Sequence, residues 1–196
     1  KIYKDVKPYF GKGKVAGYIP ELAKVDPGKY GMSIATIEGN TYNFGDAEEP
    51  FSIQSISKLF TLADVLNRLG SKIWTRVGRE PSGNQFNSLI ELEYENGIPR
   101  NPFINAGALV ITDMLCTLEA GPKLHILNYL RKLCKNPNIE YNEAVADSEA
   151  QNGYRNAALA NFLKSCNNLH NPIDKVLDVY FHQCAIEMSC HDLSKA

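Results

Sequence analysis

Phe51-Ser52-Ile53-Gln54-Ser55-Ile56-Ser57-Lys58 is the stretch on which the reading of this chain turns. Upstream of it lie two β-rich runs, Met32 to Ile37 and Thr41 to Phe44, around Gly39-Asn40, a dipeptide suited to a tight hairpin turn. Downstream, Ile56, Leu59, Phe60, Ala63, Leu66 and Leu69 recur at three- and four-residue spacing, and Gly70 follows as a stop. The octapeptide therefore marks the passage from hairpin to helix. It puts Ser55 in the first turn of that helix and Lys58 three residues on, along the same face. Backbone N–H groups at a helix start favour negative charge developing on a bound carbonyl oxygen.

A serine with an amine in reach is a nucleophile with its base, provided that the amine is neutral. A free lysine has a pKa of about 10.4, and lowering it to about 7 corresponds to roughly 4–5 kcal/mol of differential destabilisation of the cation, within reach of burial and a neighbouring positive charge. The pattern thus predicts a desolvated pocket around Lys58, walled by Phe51, Ile53 and Phe60. Alone, S-x-x-K also describes a helix cap followed by a solvated lysine. The strand-to-helix setting is the one in which S-x-x-K enzymes carry the motif.

Further out, residues 71–102 are rich in Gly, Pro and Asn and read as long loops with little regular structure. Ile104 to Leu118 reads as an apolar, buried helix. Pro122 and Pro172, at first helical positions, open two more, with apolar faces at Leu124, Leu127 and Leu130 and at Ile173, Val176, Leu177, Tyr180 and Cys184. Ser189-Cys190-His191-Asp192 has the form of a capping box that starts a last helix, and the sequence stops within about two turns of it. The expectation is a chain cut through an element at Ala196. One hairpin with a free edge is not stable alone, so either helices cover it or further strands lie beyond that point.

Composition bounds the class. With 196 residues, 44% hydrophobic and 22% charged, the chain is an ordinary globular one, and its length buries about 70% of the unfolded surface without staples. A net charge of -1 gives no field for nucleic acid or an anionic membrane, so the expected partner is a small molecule or a protein. The five cysteines, Cys116, Cys134, Cys166, Cys184 and Cys190, form no C-x-x-C or C-x-x-H pair, which argues against zinc and against a disulfide scaffold. No signal-peptide or membrane-spanning run is present, and a reducing cytoplasm is the expected location.

Four blocks, FSIQSISKLFTL (51–62), EPSGNQFNS (80–88), GIPRNPFINAGAL (97–109) and VLDVYFHQCAIEMSC (176–190), together closely resemble the serine-dependent glutaminase family. The resemblance implies an α+β fold of the β-lactamase/transpeptidase type, an α/β/α sheet with a helical subdomain, incomplete here at the C-terminus. It implies one domain over 1–196, with the hairpin and the start of the nucleophile helix in 1–62 and a mostly helical part in 63–196. It also implies hydrolysis of L-glutamine to L-glutamate and ammonia, with Ser55 as nucleophile and Lys58 as base. Asn105 would contact substrate, Glu149 and Asn156 would bind its amino-acid end, and Tyr180 would lie beside the nucleophile and bind substrate. No metal or organic cofactor is implied, and the family forms homo-oligomers, here a dimer or tetramer. A second backbone oxyanion donor comes, in the family, from a strand further along.

The residues themselves are compatible with these roles. An α-ammonium needs an anion such as Glu149, whose bland reading is a solvated helix carboxylate, and Asn105 and Asn156 offer amide donors and acceptors. Asn105 also reads as a buried helix cap, and Tyr180 as core packing with its hydroxyl bonded. Among His125, His170, His182 and His191 there is no metal-like spacing, and no G-x-S-x-G elbow accompanies them. Ser82 has no adjacent base. A penicillin-recognising S-x-x-K enzyme and a non-catalytic glutamine-binding relative are the alternatives to the hydrolase.

Overall fold

Short strands near the start and longer helices after them follow the change of sequence texture at residue 50. The structure, a computed structural model, describes residues 1–196. In chain order the elements are α1 (Ile2–Val6), β1 (Gly31–Ala35), β2 (Thr41–Gly45), β3 (Phe51–Ser52), α2 (Ser57–Leu69), α3 (Leu89–Tyr94), α4 (Asn105–Leu118), α5 (Pro122–Cys134), α6 (Glu143–Asn152), α7 (Tyr154–Ser165), α8 (Ile173–Cys184), β4 (Glu187–Met188) and α9 (Cys190–Lys195).

The expected hairpin is present: β1 and β2 pair antiparallel with Gly31 opposite Gly45 and Ile34 opposite Tyr42. Gly39, at φ +90°, makes its turn. Its cover comes from two directions. Helix α9, closed by the Ser189–Asp192 capping box, packs on β1, joined by Ser33 Oγ to Ser194 Oγ at 2.8 Å and by His191 N–H to the Ala47 carbonyl at 3.1 Å. Tyr3 and Phe10 pack against Tyr30, and Tyr3 against Phe44, at centroid distances of 4.9–5.4 Å.

Three expectations are corrected. The hairpin is not the only sheet: β3 pairs antiparallel with β4, Phe51 opposite Met188 and Ser52 opposite Glu187, and Ile53 N–H extends the pairing to the Ile186 carbonyl at 2.9 Å. Two-residue strands are too short to show an alternating pattern. Residues 71–102 are not all loop, because a 3₁₀ turn covers Gly70–Thr75 and Ser88 caps α3 by accepting from Glu91 N–H. That short helix buries little more than Glu91 and Leu92, so no apolar period announces it. Pro172 is the cap of α8, with extended ψ of 136°, and not its first helical residue.

The core centres on α4. Asn105 through Cys116 are all buried, and α2, α5, α7 and α8 pack around that helix. Gly107 admits the Asn101 carbonyl against the helix, where a Cβ would collide with it. Asp113, fully buried, ties the loop before α8 to the core by accepting from Arg76 Nη2 at 2.6 Å and from the backbone N–H groups of His170 and Asn171 at 3.1 and 2.7 Å. No helix is long and apolar enough to cross a membrane.

Candidate active site

Strand β3 delivers the chain to a 3₁₀ turn, Gln54–Ile56, from which α2 continues at Ser57. Gln54 opens the turn at φ +48°, a left-handed conformation that costs a non-glycine residue on the order of 1–3 kcal/mol and is held by its surroundings. Ser55 is thereby exposed at the edge of a cavity of about 570 Å³. Within the turn Ile56 N–H bonds to Ile53 O and Ser57 N–H to Gln54 O, while Ser55 N–H pairs with no carbonyl.

Lys58, in the first turn of α2, is 6% exposed. Its Nζ donates to the Phe103 carbonyl at 3.0 Å and to Asn105 Oδ1 at 2.7 Å, with the Phe86 ring centroid 5.7 Å away. Burial pushes its pKa down, and nearby Cys184 opposes this weakly. The pocket is desolvated as expected, but its walls differ. Ile53 and Phe60 are buried in the core beside it, whereas Phe51 is 38% exposed and faces a neighbouring cavity. No hydrogen bond joins Lys58 to Ser55: the amine donates to Phe103 and Asn105, and Ser55 Oγ takes part in no hydrogen bond. Ser55 belongs to the 3₁₀ turn and Lys58 to the α-helix, so the serine lies just before the helix and not in its first turn as expected.

Asn105 is the first residue of α4 and does not cap it; Asn101 Oδ1 accepts the free N–H groups of Phe103 and Ile104 instead. Having accepted from Lys58, the Asn105 amide donates through Nδ2 to Asn156 Oδ1 at 2.9 Å. Glu149, on α6, is 4% exposed and accepts from Tyr18 OH at 3.1 Å; that hydroxyl also contacts Gln54 Oε1 at 2.9 Å. Burial raises the pKa of Glu149, and the Tyr18 bond offsets part of the rise.

Gly153 breaks α6 from α7, and a Cβ there would lie 2.5 Å from Phe181 Cζ and 2.7 Å from the Glu149 carbonyl. This close approach to α8 brings Glu149, Asn156 and Tyr180 together. Tyr180 and Cys184, one turn apart on α8, are both buried, and burial raises both pKa values, that of Cys184 to about 12.

Ser55, Asn105, Glu149, Asn156 and Tyr180 all line the one cavity, and Lys58 joins it through Asn105. Sequence reasoning missed Tyr18, Gln54, Phe86, Asn87, Asn152, Arg155 and Cys184, which line it too. Gln54, Phe86, Asn87 and Cys184 fall inside the four quoted blocks, and Arg155 adjoins Asn156. Tyr18 sits in a segment without periodicity and carries no such signal. None of the four histidines lines the cavity: His182, for one, binds the Asp178 carbonyl through Nδ1 at 2.8 Å and sets its ring edge-on to Tyr141. Ser82 donates to Glu91 at 2.8 Å and lies outside the lining.

Residues 13–196 match the family model described as Glutaminase. The chain belongs to the glutaminase family. A glutaminase from Rhizobium etli (strain CIAT 652) is 54% identical over 197 residues, an alignment that covers all of this chain and 64% of that protein. Among solved structures, a probable glutaminase, ybaS, is similar at TM-score 0.86 and 30% identity, over 98% of this chain and 64% of the other. Mglu, in its L-glutamate binding form in 4.3 M NaCl, is similar at TM-score 0.88 and 32% identity, over 98% and 43%. The family likeness bears out the α+β, β-lactamase-like architecture. The chain spans 64% of the length of the curated glutaminases that it matches.

Proposed function

We propose that the protein is an amidohydrolase that converts L-glutamine and water into L-glutamate and ammonia through an acyl-enzyme on Ser55. The observation that carries this is convergence. Five polar residues from five separate elements, Ser55 before α2, Asn105 on α4, Glu149 on α6, Asn156 on α7 and Tyr180 on α8, line one cavity beside a buried lysine. The Mglu structure adds that a protein of the same fold binds L-glutamate, the product of this reaction.

In this reading neutral Lys58 takes the Ser55 proton as Oγ attacks the side-chain amide carbon of glutamine. Ser55 N–H, left unpaired by its turn, donates to the oxyanion; each such donor contributes roughly 10²–10³ in rate. The C–N bond breaks, the amide nitrogen leaves as ammonia with the proton from Lys58, and a γ-glutamyl ester remains. Water then attacks the ester, its proton passing to Lys58 and on to Ser55. Glu149 faces the α-ammonium, and Asn105 and Asn156 face the amino-acid end. Ligand binding draws Lys58 from Asn105 toward Ser55, as catalytic hydrogen bonds that are loose in a free enzyme tighten on binding.

Residues 1–196 act in this proposal as one glutaminase unit, with the hairpin and nucleophile turn in 1–62 and the pocket helices in 63–196. A cytoplasmic setting fits five free cysteines, three of them buried, and a homodimer or homotetramer completes the proposal. The test is ammonia release from L-glutamine by wild type, Ser55→Ala and Lys58→Ala. Release by wild type and loss in both variants is expected. Turnover that survives in Ser55→Ala refutes the nucleophile.

A further inference from the structure

Two of the residues that line the cavity carry a formal charge, Glu149 and Arg155. The chain has six arginines. Arg68, Arg76, Arg100 and Arg131 each pair with a carboxylate, and Arg79 lies over the Trp74 ring at 5.3 Å. Arg155 has neither kind of partner. Its Nε donates to the Asn87 carbonyl at 3.1 Å, which anchors the side chain and leaves both terminal nitrogens of the guanidinium without a hydrogen bond.

The surroundings add to this cation. Arg155 is in the first turn of the twelve-residue α7, and Gly153, Arg155 and Asn156 bring the electropositive end of that helix to the cavity. Asn156 spends its Oδ1 on Asn105, so its Nδ2 remains a donor. On the other side of the Gly153 break, Glu149 gives one oxygen to Tyr18 and keeps the other unbonded. The cavity therefore offers a cationic corner and an anionic corner, the complement of a free α-amino acid in its zwitterionic form.

We infer that Arg155 is the specificity-determining residue for the α-carboxylate of the ligand. It admits free amino acids and discriminates against glutaminyl groups whose α-carboxyl is tied up in an amide. The inference rests on the glutamine reading above.

The experiment compares L-glutamine with L-glutaminamide, whose α-carboxyl is neutral, in wild type, Arg155→Gln and Arg155→Lys. Wild type should prefer L-glutamine. Arg155→Gln should lose about ten- to a hundredfold in kcat/KM on L-glutamine and little on the α-amide, and Arg155→Lys should recover part of the loss. Equal losses on both substrates would overturn the inference, since that is what a role confined to anchoring Asn87 would give. So would a wild type that does not distinguish them.

Calorimetric binding of L-glutamate and of its α-amide, L-isoglutamine, separates this inference from the hydrolase reading. Preference for L-glutamate that disappears in Arg155→Gln upholds Arg155 even where no ammonia is released, a result that would sink the hydrolase alone. Binding of neither ligand by wild type overturns both.

Discussion

Asp113 on α4 and Glu149 on α6 are both carboxylates removed from water, at 0% and 4% exposure, yet their surroundings differ in kind. Asp113 meets the Arg76 guanidinium, the Asn171 amide and two backbone N–H groups. Burial alone would raise its pKa, but those hydrogen bonds hold it below the ordinary aspartate value. Glu149 has a single phenol donor and no cation, and burial raises its pKa. A saturated polar cluster in the interior fixes the loop before α8 to the core. An undersatisfied one, open to a cavity, has hydrogen-bonding capacity left for a ligand.

The contrast is most sharply tested at Lys58. Lys58→Met should cut ammonia release by about 10²–10⁴-fold, while urea unfolding shows stability held or raised, because a desolvated amine without an anionic partner has been replaced by an apolar chain of similar length. Asp113→Ala should do the reverse. It strands the Arg76 cation and should cost about 3–5 kcal/mol in the same unfolding assay. Loss of activity without loss of stability at Asp113 would break the comparison.

The two carboxylates should also titrate with opposite sign. The contribution of Asp113 is fully present above the ordinary aspartate pKa and is lost as pH falls through its depressed native value, so Asp113→Asn should flatten the acid limb of the stability curve. For Glu149, whose native pKa is raised, stability falls as pH climbs from the ordinary glutamate pKa through the native one. Glu149→Gln should thus match wild type in acid and gain on it toward neutral pH, while weakening binding of L-glutamine. Gly153→Ala should destabilise by about 1–3 kcal/mol through its clash with Phe181. Tyr18→Phe should have the smallest effect, a rise in KM of a few fold, since it removes one hydrogen bond to an otherwise intact carboxylate.

What was legible in the sequence follows from how each feature is encoded. The hairpin, α4, α5 and the Ser189 cap are written in local periods and cap residues and fold as read, and α2 and α8 do so except at their first residues. Of the five residues named for the cavity, Ser55 was read from its motif and the other four from likeness to a family, and the structure brings all five together. The β3–β4 pair escaped because two residues carry no period. The 3₁₀ turn that carries Ser55 escaped because it depends on pairing with residues far along the chain. Tyr18 and the Asn87 anchor of Arg155 depend on tertiary contacts alone.

The short β3–β4 pair also governs when the turn that carries Ser55 can form. Ser52, three residues before Ser55, is held by Glu187, so the turn has its anchor only after the strand that follows α8 has been made. At ~5–20 residues per second of synthesis, that places on the order of ten seconds between the two strands. Contacts of such sequence separation form late and slowly, so the turn that carries Ser55 is set only once α8, which ends at Cys184, has completed the core around α4.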